Sequence, residues 1–292
     1  MSMLEGKAVV ITGAGAGLGA AYARQAASLG ASLVVNDINA GNAASIVAEI
    51  NAGGGQAVAW PGDISSWEFA GTLIQACIDA FGRIDALVNN AGILRHGRLT
   101  ELKEADLRRM LEINTIGTAA CASHAVHAML KQETPATIIN VASGSQAGDI
   151  AIGGYGASKA AVASLTYTWA MELRDTNVRV NAISPLAQTA MAQSNMGFLA
   201  QQSANREVEY TTLPAAELSA PVVSFLISDA SIGVNGQVVR IAGRQLSLVT
   251  HPMIADPVLE GDWTLEAVEQ AFRQSLSEKQ CKLGLAFQQQ IQ

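Results

Sequence analysis

Short apolar runs alternate with longer helical stretches along most of the chain, and this alternation limits the fold more than any other feature. Most of the runs lack polar alternation, which indicates strands that are covered on both faces of a parallel sheet. The predicted strands span residues 8–11, 32–35, 57–59, 86–88, 137–139, 178–180 and 237–241. The stretches between them have lengths that suit crossover helices, at residues 20–29, 43–51, 69–81, 105–130 and 160–173. The sequence therefore predicts repeated βαβ units and an α/β fold.

Length and composition fit one large domain. The chain has 292 residues, of which 49% are hydrophobic and 15% are charged, enough to bury one sizeable core. We expect a main domain at residues 1–245 and a C-terminal extension at residues 246–292. No apolar run approaches the roughly 18 residues of a membrane span, and residues 1–7 lack the pattern of a signal peptide. We therefore expect a soluble cytoplasmic protein that has no membrane partner.

The charge balance and the possible metal ligands argue against two further kinds of site. A net charge of −7 argues against nucleic-acid binding, which needs a basic face. Cys77, Cys121 and Cys281 are not clustered, so they suit neither a disulfide framework nor a zinc site. His124 and His127 lie three residues apart on a predicted helix, but no third ligand is evident nearby. We therefore predict no metal site.

A glycine-rich loop at residues 12–19 follows the first predicted strand directly and opens the first predicted helix. Without side chains, its backbone can turn tightly and approach a pyrophosphate at the N-terminus of a helix. Asp37 follows the second strand, twenty residues after Gly17, where a carboxylate can accept hydrogen bonds from the adenosine ribose. The charge of Asp37 would repel a 2′-phosphate, so the sequence predicts NAD rather than NADP. The alternative is that Asp37 is a solvated turn residue.

Tyr155 and Lys159 lie four residues apart on a predicted helix, twelve and sixteen residues after Ser143. This spacing directs both side chains into the same cleft. A phenol keeps its proton until about pH 10, so a phenol that acts as a base near neutrality needs a cation close by. Lys159 is placed to be that cation, and the combination predicts hydride-transfer chemistry. The alternative is a surface pair that covers one helix face.

The chain resembles the short-chain dehydrogenase/reductase family over roughly residues 5–245. The resemblance rests on the glycine loop, on the run Asn89-Asn90-Ala91-Gly92, and on Asn114, Ser143, Tyr155 and Lys159. It implies a single Rossmann-like domain, a doubly wound sheet of about seven parallel strands with helices on both faces. It also implies a small-molecule substrate and a homo-oligomer, with a tetramer favoured and a dimer possible.

The resemblance implies a role for each of four catalytic residues. Tyr155 is the general base in oxidation and the general acid in reduction. Ser143 holds the substrate oxygen. Lys159 lowers the pKa of Tyr155 and binds the nicotinamide ribose, while Asn114 supports a water that links Lys159 to solvent.

The resemblance also implies which residues contact the cofactor: Gly13, Gly17, Leu18, Gly19, Asp37, Asp63, Ile64, Asn90, Ala91, Gly92, Tyr155, Lys159, Ile183 and Thr189. Asp63 matches the position beside the adenine ring, with the alternative that it caps the following helix. Asn90 alternatively stabilises the end of the strand before it. Thr189 and the Ile183 backbone match contacts to the carboxamide, but Leu186 stands where the family usually has glycine, so we expect a local difference in this loop.

The substrate is expected to be fairly hydrophobic. Residues 186–213 occupy the variable substrate-covering region of the family and include Met191, Met196, Phe198 and Leu199, which suggest a partly apolar lid or, alternatively, core packing. Residues 93–98 carry two arginines that suit an anionic group or, alternatively, the rim of the site.

Short matches resemble the dehydrogenase part of multifunctional β-oxidation enzymes, which implies a 3-hydroxyacyl-CoA or a hydroxysteroid. Another bulky or aromatic carbonyl compound is an alternative substrate, and a non-catalytic NAD-sensing protein is an alternative function.

The chain continues for roughly 45 residues beyond the usual end of the family. A helix is predicted at residues 264–275, and Trp263, Leu265, Val268 and Phe272 give this extension enough apolar content to dock. We expect it to form an oligomer contact or a wall of the substrate pocket. The alternative is a disordered appendage, and the sequence does not place His251.

Overall fold

The computed structural model describes residues 2–201, 213–281 and 283–285, apart from the side chains of residues 196 and 199–201. Its centre is one sheet with the strand order β3-β2-β1-β4-β5-β6-β7-β8. The strands are β1 Ala8–Ile11, β2 Ser32–Val35, β3 Gln56–Ala59, β4 Ala86–Asn89, β5 Ala136–Val141, β6 Val178–Leu186, β7 Val238–Ala242 and β8 Gln245–Val249. The first seven strands run parallel, as the sequence predicts, and β8 pairs antiparallel with β7.

Helices cover both faces of the sheet. They are α1 Gly17–Ser28, α2 Ala40–Ala52, α3 Trp67–Phe81, α4 Glu104–Leu111, α5 Thr118–Met129, α6 Gly153–Glu172, α7 Ala190–Gln201, α8 Ala220–Ile227 and α9 Leu265–Gln274. Alternate residues of each strand point to opposite faces. Val9 and Ile11 therefore pack with α1, α2 and α8, whereas Ala8 and Val10 pack with α3 and α5. Burial on both faces explains the unbroken apolar runs of the strands.

Two features of the sheet differ from the sequence prediction. The sheet has eight strands rather than about seven, because a tight turn at Gly243 (φ 59°) lets β8 fold back on β7. The domain boundary expected after residue 245 therefore falls inside β8. Strand β6 is also much longer than predicted, because Ser184, Pro185 and Leu186 continue its pairing with β7.

One predicted helix is interrupted where the site is built. The stretch at residues 105–130 consists of α4, a π-helical segment at Glu112–Gly117, and α5. A π-helical turn holds one more residue than an α-helical turn, and such turns are frequent at functional sites. Asn114 lies within this segment and is fully buried. Helix α8 was not predicted from the sequence. Within the described residues, no helix is long and apolar enough to cross a membrane.

The direction of winding reverses between β1 and β4, which are neighbours in the sheet although two strands separate them in the sequence. Helices on opposite faces diverge at such a point and leave a crevice at the carboxyl ends of the strands. The glycine loop leaves β1 at this edge, and the run from Asn90 to Gly92 leaves β4 beside it.

Candidate active site

The glycine loop after β1 approaches its neighbours too closely for side chains. A Cβ atom on Gly13 would lie 2.8 Å from the Ala91 Cα atom, and one on Gly19 would lie 2.3 Å from the Gly13 carbonyl oxygen. Gly17 begins α1 with a φ of 53°, which favours glycine. No side chain caps the N-terminus of α1, so its backbone N–H groups are open to a bound anion. This cradle fits a pyrophosphate, and the partly buried Leu18 packs against the core.

Asn90 and Thr12 hold the loop in place. The Asn90 side chain donates to the carbonyl oxygens of Thr12 and Gly13, both at 2.9 Å. The Thr12 hydroxyl accepts from the backbone N–H groups of Asn90 at 3.0 Å and Ala91 at 3.1 Å. These bonds favour the interpretation that Asn90 stabilises the chain at the end of β4. The sequence reasoning assigned no role to Thr12, although a polar residue at the end of an apolar strand was a usable signal.

Asp37 lies against the same loop. Its carboxylate accepts from the backbone N–H groups of Gly15 at 3.0 Å and Asn39 at 2.9 Å. A Cβ atom on Gly15 would lie 2.8 Å from an Asp37 oxygen, so glycine is needed for this approach. Each carboxylate oxygen has a second lone pair that can accept from a ribose hydroxyl. The neighbouring Asn36 is buried and donates to the carbonyl groups of Trp60 and Gly62.

Asp63, which follows β3, is bound to α4. Its carboxylate accepts from the backbone and the hydroxyl of Ser65 and forms an ion pair of 2.6 Å with Arg109. Burial raises the pKa of Asp63, but the hydrogen bonds from Arg109 and Ser65 outweigh it, so the pKa lies below its usual value. Ser66, rather than Asp63, caps α3. The Ile64 side chain is buried in the core, so only its backbone can face a cofactor.

Helix α6 carries Tyr155 and Lys159 on one face. The Lys159 ammonium group is buried and donates to the carbonyl of Val141, at the end of β5, at 2.7 Å. It lies 5.8 Å from the centroid of the Tyr155 ring. Burial lowers the pKa of Lys159 to about 8, because a charged amine is costly to remove from water.

The Ser143 hydroxyl lies close enough to the Tyr155 phenol to favour its ionised form. Burial raises the pKa of the Tyr155 phenol, and the nearby Ser143 hydroxyl opposes only part of that shift. The protein by itself therefore does not show the lowered pKa that the resemblance implies for Tyr155. Ser143 also accepts from the Ser145 hydroxyl at 2.9 Å and from the Ser145 backbone at 3.3 Å.

Asn114 joins the loop after β4 to α6. Its side-chain oxygen accepts from the backbone of Ile93 at 2.8 Å, and its amide donates to the Ile93 carbonyl and the Ser158 hydroxyl, both at 2.9 Å. Ser158 in turn donates to the backbone carbonyl of Tyr155 at 2.7 Å. A Cβ atom on Gly92 would lie 3.2 Å from the Asn114 oxygen and 3.5 Å from the Lys159 nitrogen. Ser158, which the sequence reasoning missed, is therefore the link between Asn114 and Tyr155.

The end of β6 differs from the expected loop. Leu186 pairs with Ala242 as the last residue of the strand, and the Ile183 carbonyl accepts from the Ala142 backbone at 2.8 Å within the sheet. That carbonyl is therefore already occupied. Thr189 lies just before α7, where its hydroxyl accepts from the Ala192 backbone at 3.1 Å. Its methyl carbon lies 3.6 Å from the position of a Cβ atom on Gly17, so Thr189 faces the glycine loop.

A cleft of about 250 Å³ opens beside these groups. Its walls are Gly92, Ile93, Leu94, Arg95, Met191 and Ser194. His96 links the loop after β4 to α7. Its ring bonds to the Asn195 side chain at 3.1 Å and stacks on Phe198, with the two ring centroids 4.5 Å apart. The sequence reasoning did not single out His96. Of the expected lid, residues 202–212 and the side chains of Met196 and Leu199 lie outside the described residues.

The loop at residues 93–98 carries Arg95, which lines the cleft and also pairs with α4. Arg95 lies 3.8 Å from Asp106 of α4 and donates to the Leu94 carbonyl at 3.1 Å. This favours the reading in which it belongs to the rim. His124 bonds to the Trp67 carbonyl and His127 to the Ser123 carbonyl, and no group of three possible metal ligands occurs among the residues described.

The C-terminal extension touches the domain at separated points. His251 bonds to the Gly236 carbonyl at 2.8 Å and lies 4.1 Å from the Tyr167 ring. Leu285 reaches the loop that carries Ser143, where its Cδ2 atom lies 2.9 Å from the position of a Cβ atom on Gly144. Helix α9 forms as predicted, but the apolar side chains expected to dock it are exposed: Trp263 52%, Leu265 81%, Val268 40% and Phe272 47%.

Comparison with known proteins finds the same family over most of the chain. Residues 7–197 match the short chain dehydrogenase family. The chain is 35% identical over 242 residues to the 3-oxoacyl-[acyl-carrier-protein] reductase of Thermotoga maritima, covering 82% of this chain and 98% of that protein. It is 33% identical over 271 residues to the peroxisomal multifunctional enzyme type 2 of Drosophila melanogaster, covering 87% of this chain and 43% of that longer protein.

A solved structure has the same architecture. It is a 7α-hydroxysteroid dehydrogenase complexed with NADH and 7-oxo glycochenodeoxycholic acid, and it superposes with a TM-score of 0.76 at 34% identity. The alignment covers 82% of this chain and 94% of that one. With Ser143, Tyr155, Lys159 and Asn114 gathered at one edge of the sheet, these matches show that the chain belongs to the short-chain dehydrogenase/reductase family of oxidoreductases.

Proposed function

We propose that the chain is an NAD-dependent dehydrogenase that interconverts a secondary alcohol and a ketone on a fairly hydrophobic substrate. One observation carries the proposal: Ser143, Tyr155 and Lys159 converge beside the glycine loop, with Asn114 buried behind them. A binding module has no need for a phenol, a lysine and a hydroxyl donor in one cleft. This argues against the alternative of a non-catalytic NAD sensor.

NAD is proposed as the cofactor because of Asp37. Its carboxylate lies against Gly15 of the loop, where the adenosine ribose of a dinucleotide would sit, and it would repel a 2′-phosphate. The family neighbour solved with NADH supports the same choice. Gly13, Gly17 and Gly19 would hold the pyrophosphate, Asp63 and the Ile64 backbone the adenine, and Ala91, Gly92 and Thr189 the nicotinamide half. Asn90 would act by shaping the loop, and the Ile183 backbone has its carbonyl engaged in the sheet.

The proposed roles of the catalytic residues follow from charge. A bound nicotinamide accepts or donates the hydride. In oxidation Tyr155 takes the proton of the alcohol, and in reduction it returns that proton to the ketone oxygen. Ser143 donates to the substrate oxygen, whose negative charge exists mainly in the transition state. Because burial raises the pKa of Tyr155, the protonated Lys159 is needed to favour the phenolate. Asn114 and Ser158 fix the backbone of Tyr155 relative to the loop at Ile93.

The proposed substrate is a 3-hydroxyacyl thioester or a hydroxysteroid. Ile93, Leu94 and Met191 give the cleft apolar walls, which suit a hydrophobic body beside the reacting carbon. One relative named above is a 3-oxoacyl-[acyl-carrier-protein] reductase, and the solved neighbour is a hydroxysteroid dehydrogenase that holds 7-oxo glycochenodeoxycholic acid. We also propose that the enzyme is a cytoplasmic homo-oligomer, with residues 246–292 contributing to subunit contacts or to the substrate site.

The test is a spectrophotometric assay of reduced nicotinamide, with NAD and NADP offered separately. The panel contains 3-hydroxyacyl-CoAs, hydroxysteroids, aromatic carbinols and small secondary alcohols. Turnover with NAD and one of the first two groups supports the proposal. Turnover only with aromatic carbinols or with NADP would replace the proposed substrate or cofactor, and tight NADH binding without turnover anywhere would favour the sensor function.

A further inference from the structure

Arg109 reaches from α4 across to the residues that follow β3. Its Nη2 atom donates to the Asp63 carboxylate at 2.6 Å, and its Nη1 atom donates to the Ser65 hydroxyl at 3.0 Å. Asp63 and Arg109 are 46 residues apart in the sequence. Nothing in the motifs of the chain assigns a role to Arg109.

The hydrogen bonds to Asp63 are divided unequally between its two carboxylate oxygens. One oxygen, Oδ1, accepts from both the backbone N–H and the hydroxyl of Ser65, at 2.9 and 2.7 Å. The other, Oδ2, accepts from Arg109. A carboxylate has about four lone-pair sites, two on each oxygen. The hydrogen bonds among the described residues therefore leave one acceptor site, and it lies on Oδ2.

The guanidinium group fixes the direction of that remaining lone pair. Its donors form a rigid planar fork, which an ammonium group cannot imitate. Arg109 is itself held by Glu112, one turn further along the chain, at 3.3 Å. Its side chain and that of Asp63 are each about one third exposed, at 37% and 36%, so the pair borders an accessible site.

Helix α4 connects this pair to the catalytic groups. Five residues after Arg109, the π-helical segment places Asn114 against Ile93 and Ser158. The same stretch of chain therefore contacts Asp63, proposed for the adenine, and lies beside Gly92, proposed for the nicotinamide half.

We propose that Arg109 is a positioning residue that orients Asp63 so that its Oδ2 atom accepts a hydrogen bond from the exocyclic amino group of adenine. The inference rests on the proposed NAD binding and extends it to a residue outside the family motifs. Arg109 acts through Asp63 and needs no contact of its own with the dinucleotide.

The test compares two reduced dinucleotides that differ at one group of the purine. NADH carries the 6-amino donor, and reduced nicotinamide hypoxanthine dinucleotide carries an oxygen acceptor in its place. Dissociation constants are measured by fluorescence titration, which needs no substrate. A hydrogen bond to a charged group predicts that the wild-type protein prefers NADH by roughly tenfold or more.

Three variants separate positioning from general support. Arg109→Met should lower the preference to about threefold or less, mainly by weakening NADH binding, because Asp63 loses its anchor. Arg109→Lys should give a preference for NADH between those of Arg109→Met and the wild type. An ammonium group can pair with Asp63, but it lacks the planar fork that donates to Asp63 and Ser65 together. Arg108→Met is the matched control, since Arg108 is the neighbouring residue, 70% exposed, and pairs with Glu104 on its own helix. It should leave the preference unchanged.

Two results would overturn the proposal. If Arg109→Met weakens both dinucleotides equally, the ion pair only supports the fold. If the wild-type protein does not distinguish them although both bind, Asp63 does not accept from the amino group. Failure of the wild type to bind either dinucleotide would instead refute the proposed cofactor. If Arg109→Met does not fold, the same ratio is measured on Arg109→Lys and Ser65→Ala, and an unchanged ratio in both would overturn the proposal.

Discussion

The Lys159 ammonium group lies 5.8 Å from the centroid of the Tyr155 ring, one helical turn away on α6. Its described hydrogen bond goes to the Val141 carbonyl rather than to the phenol. The lysine can therefore act on Tyr155 through its charge. Because burial disfavours that charge, the position of Lys159 should lower the free energy of unfolding, although the proposed function needs it.

Lys159→Met should stabilise the protein while abolishing turnover. Burial lowers the pKa of Lys159 from 10.5 to about 8, so the unfolded chain binds the proton more tightly than the folded chain does. We expect a gain of about 1–3 kcal/mol in the free energy of unfolding at neutral pH, after allowing for the lost bond to Val141.

The pH dependence of this gain has a definite sign. The penalty for protonated Lys159 is fully present below about pH 8 and fades as the pH rises from about 8 to 10.5, where both states lose the proton. Urea unfolding of the variant and the wild type at both ends of this range measures it. A variant that is less stable than the wild type at neutral pH would contradict the prediction.

Tyr155→Phe should lower kcat by about a hundredfold to ten-thousandfold and leave NADH affinity within about threefold of the wild type. The phenol carries the proton, and general acid–base catalysis typically contributes this much. Turnover and NADH fluorescence titration are measured on the same preparations. Tyr167→Phe, three turns further along α6, is the control and should retain turnover. Near-normal kcat in Tyr155→Phe would refute the assigned role.

Asp37→Arg should move cofactor preference toward NADP by about tenfold or more in the ratio of the two kcat/KM values. The change removes a repulsive carboxylate and supplies a donor for the 2′-phosphate. Asp175→Arg makes the same change in net charge at a side chain that is 87% exposed, and it should leave the ratio unaltered. Equal shifts in both variants would point to net charge rather than to Asp37.

Asn114→Ala should destabilise the protein by about 2–4 kcal/mol, because the partly buried backbone groups of Ile93 and the buried Ser158 hydroxyl each lose a hydrogen-bond partner. Ser158→Ala should cost less, about 1–2 kcal/mol, since the Ile93 bonds remain. Chemical denaturation measures both. The exposed Asn42, changed to alanine, should stay within about half a kcal/mol of the wild type. A loss no larger than that control would show that the Asn114 network contributes little to stability.

Much of the candidate site follows from local sequence. One tight turn requires glycine at residues 13, 17 and 19, and the end of one strand places Asp37 beside that turn. Tyr155 and Lys159 share a face because four residues make about one helical turn. The parallel strands can be predicted from the sequence because burial on both faces leaves their apolar runs unbroken.

The features that differ from the sequence prediction come from contacts between distant parts of the chain. The periodicity at residues 105–130 is that of one helix, but the wide turn at Asn114 depends on hydrogen bonds to Ile93 and Ser158. The eighth strand depends on the free edge of β7, which exists only once the sheet has formed.

The sequence by itself determined the βαβ order, the glycine cradle and the residue types of the proposed catalytic group, because helix and strand periods reflect local geometry. Only the tertiary structure decided that Asp63 meets Arg109, that His96 stacks on Phe198 and that Leu285 reaches Gly144. Each of these pairs is more than forty residues apart in the sequence. Such contacts leave no period in the chain, because they arise from the packing of completed elements rather than from the conformation of any one of them.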